Sequence, residues 1–172
     1  MEIDKNKSTK TKKRSTDLFV RELELSQKDI FAYSRIAHGE ALHDFACFFE
    51  ARSQSEAEKR INDAIKNRYE TMYGLFNKQN RLVGVFLVHD STLEDDDSRS
   101  AEVHYFIAES FQRRGYCTKG LRLLAELLCD YFDFFRFSLR KSNISSRYVQ
   151  ERLGSTLLED TGKYLYYTLC IA

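Results

Sequence analysis

Gln112-Arg113-Arg114-Gly115-Tyr116-Cys117-Thr118-Lys119-Gly120-Leu121 is the stretch on which the fold turns, because it joins a strand-like run to the most regular amphipathic segment of the chain. Upstream, residues 102–108 read as a strand. Downstream, Leu121, Leu124, Ala125, Leu128 and Phe132 recur on one face of a helix over 118–132, with Lys119, Arg122, Glu126 and Asp130 on the other. The first turn of a helix carries unpaired N–H groups and a partial positive charge, and a glycine lets the backbone come close to a ligand. With the cationic side chains of Arg113 and Arg114 beside Gly115, residues 112–118 form a candidate cradle for a diphosphate. Glycine opens many turns for steric reasons alone, so the surroundings decide what this turn means.

Working outward, Leu18, Val20 and Leu23 between charged residues predict a strand over 17–24. Ser26 with Asp29 then predicts a capping box for a helix ending near Gly39. Ser55 with Glu58 predicts a second cap, and Ala57, Ile61, Ala64 and Ile65 place an apolar stripe on a helix reaching about Tyr69. Between them, His43, Phe45, Phe48 and Phe49 are either core or the lining of a pocket. Runs 72–77 and 81–89, separated by Lys78, Gln79 and Asn80, predict an antiparallel hairpin. A strand over 134–139, a short helix over 146–153 ended by Gly154, and a hairpin of 156–158 with 163–171 close the chain. Mixed order with hairpins at both ends predicts an α/β fold: a mixed, mostly antiparallel central sheet flanked by helices.

A length of 172 residues with 42% hydrophobic and 31% charged side chains suits one domain, expected over 15–172. Its net charge of +1 excludes a global field that would drive it onto nucleic acid or an anionic membrane. The charge is uneven, however: residues 1–14 carry six basic groups against two acidic ones and are expected to be a flexible basic tail, with weak RNA or ribosome contact as its candidate role. The block Glu94, Asp95, Asp96, Asp97 is a solvated loop or an attraction for a cationic substrate. Cys47, Cys117, Cys129 and Cys170 show no metal-ligand spacing, so reduced thiols and no metal are expected. Neither an apolar leader core nor a run of roughly 18 apolar residues is present, from which a cytoplasmic protein is expected.

The 112–118 turn resembles the acyl-CoA-binding signature of the Gcn5-related N-acetyltransferase (GNAT) superfamily, with Gln112, Gly115 and Cys117 in the signature's places. Ala101-Glu102-Val103-His104-Tyr105-Phe106-Ile107 resembles the preceding strand of the ribosomal-protein N-terminal acetyltransferases (RimJ/RimL-like). Asn143-Ile144-Ser145-Ser146-Arg147 with Glu151-Arg152-Leu153-Gly154 resembles a later segment of the same subfamily. The resemblance implies a coenzyme, acetyl-CoA, lying in a V-shaped split between the strands at 102–108 and 134–139. Gln112, Arg113, Arg114, Gly115, Tyr116, Cys117 and Thr118 would hold the pyrophosphate, Phe106 and Ile107 would offer backbone contacts, and Asn143 and Ser146 would complete the site. The alternative for Asn143 is a helix N-cap.

Acetyl transfer to an amine implies a proton acceptor, because a lysine amine (pKa about 10.4) and an α-amine (about 8) are largely protonated at neutral pH. Glu102 and His104, two residues apart and so on one strand face, are the two candidates. Backbone N–H groups of the same strand would stabilise the oxyanion. The chain departs from the family in carrying His104 in place of a glycine, Gln150 where many members place a tyrosine, and no proline at all. The implied acceptor is a primary amine, a protein N-terminus or lysine. The rivals are a small cationic amine such as a polyamine or aminoglycoside, and a non-catalytic acyl-CoA-binding module.

Overall fold

The computed structural model describes the backbone of Lys13–Arg14 and residues 17–92 and 98–172. The strands are β1 (Lys13–Arg14), β2 (Leu18–Glu22), β3 (Glu70–Asn77), β4 (Leu82–Asp90), β5 (Ser100–Ile107), β6 (Phe134–Arg140), β7 (Thr156–Asp160) and β8 (Tyr164–Cys170). The helices are α1 (Gln27–Ile36), α2 (Glu40–Ala46), α3 (Gln54–Lys66), α4 (Tyr116–Leu128) and α5 (Ile144–Leu153). The strands form one sheet in the order β1-β2-β3-β4-β5-β6-β8-β7. Every neighbouring pair is antiparallel except β5 with β6. That mixed, mostly antiparallel sheet between helical layers is the α/β arrangement expected from the sequence.

Two apolar cores lie on the two faces of the sheet. One joins Leu121, Leu124 and Leu128 of α4 to Leu75, Phe86, Val103, Phe135 and Phe137; the other joins Ile30, Tyr33 and Ile61 of α1 and α3 to Phe19, Phe76, Val85 and Phe106. Helix α4 lies close to the sheet because Gly120 has no side chain: a Cβ there would stand 2.7 Å from Phe86 and 2.8 Å from Leu75.

Several local expectations shift. Lys13–Arg14, expected at the end of a flexible tail, pairs with β2, Lys13 opposite Val20 and Arg14 opposite Phe19, because a backbone ladder needs no apolar pattern of its own. Residues 1–12 and the acidic block 94–97 lie outside the described residues. Helix α3 is capped two residues earlier than expected: Ser53 accepts from the Glu56 N–H at 3.1 Å, and Glu56 accepts from the Arg52 N–H at 2.6 Å. The aromatic segment after α1 is helical, as α2 followed by a 3-10 turn over Cys47–Phe49.

At α1, Ser26 caps the Asp29 N–H at 3.2 Å as expected. The Asp29 carboxylate turns elsewhere, accepting from Arg21 at 2.7 and 2.8 Å and from the Glu24 N–H at 2.9 Å. Burial alone would raise the Asp29 pKa, but these bonds outweigh it and hold the group below its ordinary value. Asp29→Ala is therefore expected to cost about 3 kcal/mol in urea unfolding at pH 7, because Arg21 keeps a part-buried charge without its partner. A depressed carboxylate stabilises above its unfolded pKa of about 3.9, and the contribution is lost as pH falls from there through the folded value. The difference between wild type and variant should shrink correspondingly in acid.

Candidate active site

The parallel pair β5–β6 holds only three rungs, Ser100 to Phe134, Ala101 to Phe135 and Glu102 to Arg136. Beyond Glu102 the two strands part, and the gap between them is the V-shaped split expected from the sequence. Backbone groups alternate in direction along a strand. The Ala108 N–H donates to Val83 of β4 at 2.9 Å, so residues 104 and 106 also turn toward β4, while those of Tyr105 and Ile107 turn into the gap. Tyr105, not Phe106, therefore joins Ile107 in offering backbone contacts there. Phe106 also lines the cleft, with its ring packed against Tyr33 and Phe49. The Ile107 carbonyl is already engaged, accepting from Gln112 Nε2 at 3.0 Å.

A cleft of about 570 Å³ opens beside the gap. Its floor is the first turn of α4, where Gly115 at φ 74° forms the N-cap and no side chain caps the helix, so the N–H groups of the first turn have no side-chain partner there. Phe106, Ile107, Gln112, Arg113, Gly115, Tyr116, Cys117, Thr118, Asn143 and Ser146 all line this cleft. Arg114 does not: its guanidinium lies over the Phe111 ring at 5.6 Å. Arg113, which does line it, has a positive φ of 59°. Burial pushes the Cys117 thiol well above its ordinary range, which keeps it neutral beneath the cleft.

Asn143 is the N-cap of α5, accepting from the Ser146 N–H at 3.1 Å, and it faces the cleft from that position. Of the two readings of this residue, the N-cap is the one observed. Opposite, α2 forms the roof. The 3-10 turn that follows it is pinned by the buried Tyr33 hydroxyl, which donates to the Phe49 carbonyl at 2.7 Å, and by Phe49 packing on Phe106 with centroids 5.0 Å apart. The aromatic segment serves both roles left open by the sequence: Phe49 is core, whereas Phe45 and Phe48 line cavities.

A second cavity of about 250 Å³ adjoins the first and shares Phe45, Ala46, Tyr105, Asn143 and Ser146 with it. His104 lines this second cavity, its ring meeting Phe48 edge-on at 5.2 Å. Glu102 stands behind it, with Oε1 3.5 Å from His104 Nε2 and accepting from Ser138 Oγ at 2.9 Å. Burial lowers the His104 pKa below its ordinary value, opposed by the Glu102 carboxylate, so the imidazole is mostly neutral at pH 7. The side chains of Tyr105 and Ser138 are not singled out by the sequence and become visible only once strand register is known; Gln150 stands out there only as a departure from the family's tyrosine.

The family model described as Acetyltransferase (GNAT) domain matches residues 17–156. No curated protein matches the chain in sequence. Among solved structures, a RimL ribosomal alpha-N-protein acetyltransferase in complex with coenzyme A is similar at 23% identity and a TM-score of 0.74, covering 93% of this chain and 98% of that one. An acetyl transferase from Salmonella typhimurium that modifies the N-terminal serine of a 50S ribosomal subunit protein is 23% identical at a TM-score of 0.72, covering 92% and 97%. Mycobacterium smegmatis RimJ in complex with CoA-disulfide is 17% identical at a TM-score of 0.72, covering 89% and 81%. These structural likenesses establish the fold, and the family match spans most of the sequence: the chain belongs to the GNAT acetyltransferase family.

Proposed function

We propose that the protein moves the acetyl group of acetyl-CoA onto the α-amine of a protein N-terminus, by direct attack in a ternary complex. One observation carries this reading: the two cavities meet at the open part of the β5–β6 gap, one over an uncapped helix N-terminus and the other bearing His104. The diphosphate of the coenzyme then sits on the first turn of α4, within reach of Arg113, and its pantetheine arm follows the free edge of β5. The Tyr105 N–H, turned into the gap, stabilises the oxyanion as the amine adds to the thioester carbonyl.

His104 takes the amine proton. Glu102 favours the proton on Nε2 and so leaves Nδ1 free to accept. Glu102 itself is bonded to Ser138 and does not line the cavity, so it acts through the imidazole. An α-amine (pKa about 8) is neutral far more often at pH 7 than a lysine (about 10.4), which suits a base whose own pKa is lowered. The acceptor class is further supported by relatives of the same fold that acetylate ribosomal-protein N-termini.

The test is calorimetric titration with acetyl-CoA followed, in the same preparation, by thiol release against N-terminal peptides and polyamines. Binding with release on peptides is expected. Release on polyamines alone would redirect the acceptor, binding without release on any amine would favour a non-catalytic module, and absence of binding would refute the reading.

A further inference from the structure

Tyr105 stands at the junction of both cavities and belongs to the part of β5 that has left the β6 ladder. Its hydroxyl is held by a short buried chain. Gln150 is fully buried on α5; its Oε1 accepts from Ser155 Oγ at 2.7 Å, which fixes the amide so that Nε2 donates to the Tyr105 hydroxyl at 3.1 Å. The phenol oxygen thereby accepts from Gln150 and has Ser146, which lines both cavities, as its other hydrogen-bonding neighbour; a hydroxyl that accepts from its neighbours keeps its own proton to donate to a group in the space where the cavities meet.

That space is where the sulfur must be if acetyl passes from one cavity to the other. We propose that Tyr105 is a catalytic residue of the transfer, donating a hydrogen bond from its hydroxyl to the departing sulfur. The inference rests on the function proposed above. In the step, the C–N bond forms, the C–S bond breaks, the amine proton goes to His104, and the electron pair stays on sulfur as a thiolate that Tyr105 solvates without surrendering its proton. A thiol ionises near pH 8.5 in water, so a thiolate released at pH 7 is stabilised by such a donor. Burial raises the phenol's own pKa, which keeps the proton on oxygen throughout.

The test uses Tyr105→Phe. Turnover at saturating acetyl-CoA and acceptor should fall about 10- to 100-fold, the loss of one hydrogen bond to a charged group, while calorimetric affinity for CoA stays within about twofold. Independently of any acceptor, the thiol of bound CoA, followed by thiolate absorbance, should ionise at higher pH than in the wild type. If the Phe variant fails to fold, 3-fluorotyrosine at position 105 keeps the Gln150 contact while making the phenol a stronger donor, and the bound thiol should then ionise at lower pH. Unchanged turnover, or an unchanged ionisation of the bound thiol, overturns the role of Tyr105. A wild type that binds CoA but acetylates no amine would instead refute the function it rests on.

Discussion

Gly115→Trp is expected to abolish acetyl-CoA binding while leaving a folded protein. Gly115 sits at φ 74°, in the left-handed region, so any L side chain there costs roughly 1–2 kcal/mol of stability. A Cβ on Gly115 would meet no heavy atom within 4 Å, so a side chain can start from this position without a clash at its first atom. That space is the floor of the 570 Å³ cleft, where the N–H groups of the α4 first turn await an anion. Gly115→Ala separates strain from occlusion, because it carries the same backbone cost but adds only a methyl group, and it should weaken binding far less. Calorimetry paired with thermal melts reads both quantities. A well-folded Trp variant that retains affinity would place the diphosphate elsewhere.

What the sequence made legible, and what it did not, follows from the range of the forces involved. The Gln112–Thr118 turn, the α4 stripe and the Asn143 cap are local, each set by residues within a few positions of one another, and each was visible in the pattern. The assignment of Phe106 in place of Tyr105 to the gap had a different origin. Which backbone groups face outward depends on the register of β5 against β4, a relation between residues some twenty positions apart that periodicity does not encode. The same holds for Tyr105 and Gln150, forty-five residues apart and joined only by the packing of α5 against the sheet. Helix α2 was hidden because seven residues mixing aromatic and charged side chains carry too few turns for a period to emerge. Arg113 and Arg114 look equivalent in the sequence because nothing in it shows that one lines the cleft while the other lies over the Phe111 ring.

His104→Ala is expected to lower kcat/KM by about 10²- to 10⁴-fold near neutral pH, the range associated with losing a general base. The companion variant Glu102→Gln tells the two candidates apart by the direction in which the pH profile moves. In the wild type, burial lowers the His104 pKa, Glu102 and Glu70 push it upward, and His89 pushes it down. Removing the Glu102 charge leaves burial less opposed, so the imidazole loses its proton at a lower pH than before. If His104 is the base, the acidic limb of kcat/KM in Glu102→Gln therefore shifts to lower pH, and the loss on the plateau is smaller than in His104→Ala because the acceptor nitrogen remains in place. If Glu102 were the base, Glu102→Gln would instead cause the larger loss and no displaced limb would survive. Rates measured from about pH 5 to 9 on a single N-terminal peptide cover both limbs. A profile in Glu102→Gln that overlays the wild type would remove the carboxylate from the mechanism, and a His104→Ala variant of unchanged rate would remove the imidazole. The geometry favours His104, since its ring faces the second cavity while the Glu102 carboxylate is held behind it by Ser138.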